Sequence, residues 1–287
     1  MESRSKALRK ALESPGMVLA VGAFDALSAR IAERLGFRAV ITGGYTTSAS
    51  LLGKPDWGLL TQTEMVRHIG YVAEACNLPL IADADTGYGN PINVRRTVRE
   101  FEKAGVAAIF LEDQVHPKRC GHMEGKQVIP AEEHAQKIRA AVDARTDDDL
   151  VIIARTDARS VYDLDEAIRR CRLYREAGAD VTFVEAPRSV EELRRIVREI
   201  DAPQVANMIE GGRTPFLNAG ELENMGFKIA FYTLGVYYAV AKTVYDFMSC
   251  LKSTGTTEGF SDRMFSFDEF NELVGLHEMQ ELDRKYR

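Results

Sequence analysis

The sequence predicts a (β/α)₈ barrel, and three observations lead to that prediction. Short apolar runs recur along the chain, four of them after a charged helix end and a glycine, as in Glu33-Arg34-Leu35-Gly36. Helical patterns fill most of the gaps between the runs. There are eight such runs, and a length of 287 residues is typical of one barrel. An open, doubly wound sheet is the alternative, because a sequence does not prove that a sheet closes.

The predicted strands are hydrophobic at nearly every position. That pattern is typical of parallel strands covered on both faces, since an exposed face would require alternating polar residues. In chain order they are Met17–Val21, Arg38–Thr42, Leu78–Ala84, Val106–Glu112, Leu150–Arg155, Asp180–Glu185, Pro203–Met208 and Phe227–Tyr232.

The segments between the strands combine charged faces with apolar residues spaced three and four apart, which predicts amphipathic helices. The glycines that follow them suit the left-handed position after a helix end. The predicted helices are Asp25–Leu35, Thr63–Ala75, Val94–Ala104, Ala131–Ala144, Asp165–Ala177, Val190–Glu199 and Ala219–Met225.

Residues 237–287 form a predicted C-terminal helical extension of a single domain that spans residues 1–287. We expect helices at Tyr237–Cys250 and Phe267–Tyr286, with a loop between Gly255 and Ser266. No low-complexity tract or charge block indicates a second domain.

Composition excludes several classes of function. A net charge of -6, from 37 Lys plus Arg and 43 Asp plus Glu, provides no basic stripe for nucleic acid. The longest uncharged stretch, Ile229–Ala241, is too short to span a bilayer, and the polar first ten residues do not read as a leader. Four widely spaced cysteines indicate reduced thiols. We expect a cytoplasmic enzyme.

Ionisable or amide side chains end five consecutive predicted strands, the third to the seventh. In a (β/α)₈ barrel, the carboxyl ends of the strands and the loops after them carry the active site. Helix capping would explain two or three of these residues, but not one on every strand. The residues are Asp83, Asp85, Glu112, Arg155, Glu185 and Asn207.

The acidic residues among them predict a metal site. Asp83 and Asp85 are two positions apart, so on a regular strand both face the barrel mouth, beside Glu112 of the next strand. An all-oxygen ligand set suits Mg²⁺ rather than Zn²⁺. The alternative is a structural pair of acids neutralised by Arg155.

The loop after the fourth strand reads Lys118-Arg119-Cys120-Gly121-His122. It places a thiol beside two cations and an imidazole, and nearby positive charge lowers a thiol pKa. Cys120 is therefore a candidate acid–base group. We expect the other cysteines to be inert fillers on helices: Cys76, Cys171 and Cys250.

Taken together, four motifs resemble the isocitrate lyase/phosphoenolpyruvate mutase superfamily, with similarity from about Gly22 to the C-terminus. The loop around Cys120 resembles the C–C lyase branch, although carboxyphosphonoenolpyruvate phosphonomutases carry it too. The superfamily implies a barrel whose terminal helix exchanges between subunits of a dimer or tetramer. The motifs are Asp83–Gly89, Leu111–Gln114, Lys118–His122 and Ile153–Asp157.

The resemblance implies a role for each matching residue. Asp83 would bind Mg²⁺, or Mn²⁺ in its place, directly, while Asp85, Glu112 and Asp56 would hold it through waters. Cys120 would protonate the departing enolate carbon. The remaining residues would surround the thiol or bind and line the substrate site: Lys118, Gly121 and His122 around Cys120, and Thr42, Gly43, Gly44, Tyr45, Arg155, Glu185, Asn207 and Tyr238 along the pocket.

The implied reaction is a Mg²⁺-dependent, retro-aldol cleavage of a small 2-hydroxy dicarboxylate. Methylisocitrate lyases carry two arginines where this chain has Tyr238 and Phe267, so a substrate with an apolar substituent, such as 2,3-dimethylmalate, is favoured over a tricarboxylate. Tyr45 replaces a commoner small residue and would narrow the pocket. The alternatives are 2-methylisocitrate lyase, a phosphonomutase that forms a C–P bond, and a barrel that binds oxoacids without turnover.

Overall fold

A computed structural model describes residues 2–287 and contains a closed barrel of eight parallel strands. Each strand pairs with its neighbours in chain order, and the last pairs with the first. The predicted barrel is therefore confirmed, and the open sheet is wrong. The strands are β1 Val18–Gly22, β2 Ala39–Thr42, β3 Leu80–Asp83, β4 Ala108–Glu112, β5 Val151–Thr156, β6 Val181–Val184, β7 Gln204–Asn207 and β8 Ile229–Tyr232.

The barrel interior is filled by side chains, as expected of eight tilted strands. Phe110 of β4, Phe183 of β6 and Phe231 of β8 meet there, with ring centroids 5.9–6.2 Å apart. All three are buried, and they form an apolar floor beneath the carboxyl ends of the strands.

The helices match the predicted ones to within a few residues, but the structure adds four short elements. These are helices at Arg4–Glu13, Gly44–Leu52 and Ala158–Val161 and a 3₁₀ helix at Glu258–Arg263, in segments predicted as loops or left unassigned. The helices are α1 Arg4–Glu13, α2 Ala26–Arg34, α3 Gly44–Leu52, α4 Gln62–Ala75, α5 Pro91–Lys103, α6 Ala131–Val142, α7 Ala158–Val161, α8 Leu164–Glu176, α9 Val190–Glu199, α10 Ala219–Met225, α11 Gly235–Thr254, α12 Phe267–Leu273 and α13 Leu276–Tyr286.

Helix α1 closes the amino end of the barrel. Its Leu8 and Leu12 are buried in the interior cluster, and Arg9 Nη1 lies 3.1 Å from Oδ1 of Asp180, just before β6. Asp180 Oδ2 also accepts from Arg145 Nη1 and from the backbone amide of Ile152, each at 2.8 Å.

The chain divides into two compact units, residues 1–235 and 236–287. Within the second unit, the rings of Phe247 and Phe260 stack edge-on at 5.4 Å, and Arg263 covers Phe260. The predicted helix Phe267–Tyr286 is wrong as one piece, because Gly275 adopts a left-handed φ of 81° that ends α12 and starts α13. The assignment of residues 1–287 to one domain stays a prediction.

Among residues 2–287, no helix combines the length and the apolar character needed to cross a membrane.

Candidate active site

A narrow cavity opens at the carboxyl ends of the strands and provides about 50 Å³ of free space. That volume admits only a few waters, at roughly 10–15 Å³ each. The polar and backbone lining comes from the carboxyl ends of seven strands, β2 to β8, and the loops after them: Gly43, Gly44, Tyr45, Asp56, Asp83, Lys118, Cys120, Gly121, His122, Arg155, Glu185, Asn207 and Thr233.

Asp83 and Asp85 lie together, although not for the predicted reason. Strand β3 ends at Asp83, and Asp85 lies beyond it with a left-handed φ of 47°, so strand alternation does not align them. Asp83 Oδ1 instead accepts from the Asp85 amide, while Oδ2 accepts from the Gly44 amide at the start of α3, both at 2.9 Å. The turn and the helix N-terminus thus fix the Asp83 carboxylate between two backbone donors.

Lys118 supplies the cation of this acidic cluster. Its Nζ lies 2.8 Å from both Asp56 Oδ2 and Asp85 Oδ1. The alternative in which Arg155 neutralises the acid pair is wrong, because Arg155 pairs with Glu112, Asp157 and Glu185 instead. Burial raises the pKa of Asp85 to about 6, despite the opposing effect of Lys118.

The acidic cluster offers the chemistry that Mg²⁺ requires. Asp56, Asp83, Asp85 and Glu112 are all buried and supply only oxygen. Glu112 Oε1 has no hydrogen-bond partner within the described chain, so a buried acceptor remains available. Among residues 2–287, no three side chains converge tightly enough to hold an ion by themselves. Mg²⁺ commonly keeps several waters and takes one or two carboxylates, so the residues fit it.

Glu185 stands at the centre of a second network. Its Oε2 lies 3.1 Å from Arg155 Nη1 and accepts from Asn207 Nδ2 at 3.2 Å, and its Oε1 lies 2.9 Å from His122 Nε2. Burial opposes ionisation of Glu185, but Arg155 and His122 lower its pKa to about 2. His122 Nδ1 accepts from the Arg213 amide, so the neutral imidazole carries its proton on Nε2, facing Glu185.

The thiol loop closes over this network. Cys120 lines the cavity and is 9% exposed. A Cβ at Gly121 would lie 2.3 Å from Arg155 Nη2 and 2.5 Å from Glu185 Cγ, so only glycine permits this approach. The predicted lowering of the thiol pKa is wrong: burial raises the pKa of Cys120 to about 11, and the charge of Lys118, which acts in the opposite direction, does not offset it.

The remaining predicted residues are placed as follows. Thr42 points away from the cavity, and its hydroxyl donates to the Ala23 carbonyl, whereas Gly43 and Tyr45 line the cavity. Tyr238 lies on α11 and is 39% exposed. Of the other cysteines, Cys171 is buried on α8, Cys76 lies just after α4, and Cys250 is half-buried on α11.

Sequence reasoning missed the supports behind the site. Asp113, next to Glu112, faces outward and accepts from Thr156 Oγ1 and the Asp157 amide. Asp157 in turn binds Arg155 and Lys126. Asp113 and Asp157 stood inside recognised motifs, but only the fold shows that they hold β4 and β5 together. No motif or spacing in this single sequence marks Lys126 as a residue of the site.

Comparison with known proteins identifies close relatives over nearly the whole chain. It is 50% identical over 279 residues to the 2,3-dimethylmalate lyase of Eubacterium barkeri, covering 97% of this chain and 96% of the relative. It is also 50% identical over 279 residues to the chloroplastic carboxyvinyl-carboxyphosphonate phosphorylmutase of Arabidopsis thaliana, covering 96% and 82%.

Solved structures agree with this relationship. A 2,3-dimethylmalate lyase described as a PEP mutase/isocitrate lyase superfamily member matches with a TM-score of 0.94 and 37% identity, over 100% of this chain and 96% of that chain. A phosphonopyruvate hydrolase in complex with oxalate and Mg²⁺ matches with a TM-score of 0.90 and 30% identity, over 99% of each chain. The superfamily resemblance is confirmed. Since residues 8–250 also match the phosphoenolpyruvate phosphomutase family, the chain belongs to that family.

Proposed function

We propose that this protein is a Mg²⁺-dependent carbon–carbon lyase that cleaves a 2,3-dimethylmalate-like 2-hydroxy dicarboxylate into an oxoacid and a carboxylic acid. The observation that carries the proposal is one small cavity in which the Cys120 thiol lies beside Arg155 and Glu185 above an apolar floor. The 50% identity to a 2,3-dimethylmalate lyase supports it.

The cavity lining favours a substrate with few charges and a small apolar substituent. Its floor is formed by Phe110, Phe183 and Phe231, on which a methyl group gains roughly 0.8 kcal/mol. The permanent cations in the described lining are Lys118 and Arg155, and both already face carboxylates. A third substrate carboxylate would therefore lack a bidentate partner there.

The acidic cluster would hold the metal, with Asp83 as direct ligand and Asp85, Glu112 and Asp56 acting through waters. When bound, Mg²⁺ would polarise the substrate's oxygens and stabilise the charge that develops as the bond breaks. Lys118 lies within this cluster and adds a fixed positive charge beside it.

The protein's own groups complete the reaction. Arg155, oriented by Asp157 and Glu185, would bind the oxoacid half. The substrate's hydroxyl proton passes to solvent, and the bond between its second and third carbons breaks to give a carbonyl and an enolate. Cys120 then protonates the enolate carbon, and the resulting thiolate takes a proton back from solvent. A thiol with a pKa of about 11 is fully protonated at neutral pH, which a proton donor requires. The preorganised cations stabilise the developing enolate.

A substrate screen tests the proposal. Purified protein with Mg²⁺ is incubated with 2,3-dimethylmalate, citramalate, methylisocitrate and oxaloacetate, and the release of pyruvate or another product is followed. We expect the highest kcat/KM with 2,3-dimethylmalate. Binding of these compounds without turnover of any would establish the oxoacid-binding alternative instead.

A phosphonomutase is the second candidate, favoured by the 50% identity to the Arabidopsis phosphorylmutase. Phosphorus NMR after incubation with carboxyphosphonoenolpyruvate distinguishes the two activities. A new C–P resonance at a rate above that of dimethylmalate cleavage would replace the lyase proposal.

We also propose a cytoplasmic homo-oligomer, a dimer or tetramer. In the second unit, large apolar side chains such as Tyr245, Met248 and Phe267 are exposed, as is typical of interfaces. The described cysteines form no disulfide, which suits a reducing compartment. Light scattering after size exclusion should give a mass two or four times 32.0 kDa.

A further inference from the structure

Lys126 is a buried lysine at the end of the Cys120 loop, and the proposed chemistry does not use it. Its side chain is 2% exposed. Its Nζ lies 2.8 Å from Asp157 Oδ1 and 3.2 Å from Ser160 Oγ, and it donates to the carbonyl oxygen of Gly121. Burying an ammonium is costly unless it is fully paired, so these three contacts are mutually dependent.

Asp157 links this lysine to the substrate site. Its carboxylate also accepts from Arg155, from Nε at 2.9 Å and from Nη2 at 3.2 Å. Its backbone amide donates to Asp113, which fixes its position at the end of β5. The loop lysine and the substrate-binding arginine therefore share one immobile carboxylate.

The bond to Gly121 matters because Gly121 is the point where the loop meets the site. Its backbone lies so close to Arg155 and Glu185 that an added Cβ would overlap them. Cys120 precedes it directly. Whatever holds the Gly121 carbonyl thus holds the thiol over the cavity.

We propose that Lys126 is a positioning residue that latches the Cys120 loop closed and couples its closure to the orientation of Arg155 through Asp157. This inference rests on the proposed function in one respect: it takes Cys120 as the proton donor and Arg155 as the substrate-binding group. Without the ammonium, the Gly121 carbonyl and the Ser160 hydroxyl lose a buried donor, and the loop opens more often.

Alkylation of Cys120 by iodoacetamide measures that opening. Peptide mass spectrometry follows Cys120, with the half-buried Cys250 as internal reference. We expect Lys126→Met to raise the Cys120 rate by about tenfold or more, because local opening governs access to a buried group. The matched control is Lys137→Met, which removes a buried lysine that donates to the Thr86 carbonyl, outside this loop, and should leave the rate unchanged.

Turnover gives a second readout. Lys126→Met should lower kcat by about tenfold or more, because a misplaced acid loses the alignment that catalysis needs. Lys126→Arg keeps a cation within reach of Asp157 and should restore slow alkylation. If thermal unfolding shows that Lys126→Met is not cooperatively folded, Lys126→Gln replaces it, and its rate of Cys120 alkylation is measured in the same way.

Unchanged Cys120 alkylation in a folded Lys126→Met or Lys126→Gln protein would overturn the latch. Alkylation needs no turnover, so the two proposals fail separately. Faster alkylation in a protein with no lyase activity on any substrate would overturn the proposed function and leave the latch standing.

Discussion

The two ends of the barrel both carry clusters of charge, but they pair those charges differently. At the amino end, Asp180 accepts from two arginines and one backbone amide, and the three side chains remain 15–25% exposed. At the carboxyl end, Glu112 and Lys118 are 1% and 3% exposed, and Glu112 Oε1 has no hydrogen-bond partner within the described chain.

The difference separates structural charge from functional charge. A partly exposed, fully paired cluster stabilises a fold at little desolvation cost. A buried, incompletely paired cluster costs stability, and such clusters are concentrated at sites where chemistry needs them. Substitutions at the carboxyl end should therefore change activity far more than stability, and substitutions at the amino end should do the reverse.

Removal of metal is expected to have the largest effect, because the acidic cluster offers only hard oxygen ligands. Treatment with chelator should abolish turnover of 2,3-dimethylmalate, and added Mg²⁺ or Mn²⁺ should restore it. Zn²⁺ serves as the comparison ion. Full turnover by verified metal-free protein would contradict the magnesium site.

Replacement of the thiol comes next. Cys120→Ser should lower kcat by about 10²–10⁴-fold, because a hydroxyl is a far weaker acid than a thiol. Its melting temperature and its binding of oxalate, measured by calorimetry, should stay near those of the wild type. Cys250→Ser, a thiol outside the cavity lining, is the matched control. A near-normal kcat in Cys120→Ser would mean that the loop only closes the site.

The kcat/KM for 2,3-dimethylmalate should exceed that for methylisocitrate by about two or more orders of magnitude. A methylisocitrate carboxylate without a bidentate cation would cost several kcal/mol, at about 1.4 kcal/mol per decade of kcat/KM. Tyr238→Arg should reduce this ratio of kcat/KM values, because it adds a cation that can pair with the third carboxylate. Tyr245→Arg, on the same helix, is the control and should leave the ratio unchanged. A wild-type preference for methylisocitrate would place another cation at the third carboxylate.

The pH dependence of the thiol gives a smaller effect. Because burial raises the pKa of Cys120 from 9.0 to about 11, its thiolate fraction at pH 9 should be about fifty-fold below that of an ordinary thiol. Alkylation of Cys120 should keep rising up to about pH 11. The stability that the buried neutral thiol contributes is present below pH 9 and is lost as pH rises towards 11. A plateau in alkylation near pH 8 would show a lowered pKa.

The amino end should show the smallest change in activity. Asp180→Ala leaves Arg9, Arg145 and the Ile152 amide without this partner, which should cost about 2 kcal/mol and lower the melting temperature by roughly 4–8 °C. At temperatures below the unfolding transition, the kcat of Asp180→Ala should stay within about twofold of wild type. The control is Asp149→Ala, which removes a more exposed acid and should change the free energy of unfolding by less than about 0.5 kcal/mol. A large loss of kcat in Asp180→Ala would remove the distinction between the two ends.

The barrel was predictable because each strand is a short apolar run with a helix on either side, a signal that is local and repeated. Helices α1 and α3 were missed because tertiary contacts decide them: α1 by burial of Leu8 and Leu12 and α3 by the Gly44 amide that donates to Asp83. The split of the terminal helix depends on one left-handed glycine, Gly275.

The residues at the candidate site were predictable by type and position along the chain, but their pairing was not. Lys118 rather than Arg155 neutralises Asp85, because the loop between β4 and α6 folds back onto a strand end. Burial also sets the direction of the Cys120 pKa shift, because it outweighs the positive charge of Lys118. Long-range electrostatics of this kind cannot be read from neighbours in sequence.

Helix α1, which closes the amino end, has a consequence for biosynthesis. Arg9 binds Asp180, 171 positions later, and Lys228 donates to the carbonyl of Ser14 across 214 positions. On the ribosome, α1 emerges first, yet these two contacts form only after Asp180, before β6, and Lys228, before β8, have been made. Contacts of such long sequence separation slow folding, so the nascent chain must keep Leu8 and Leu12 from aggregation until the sheet is complete.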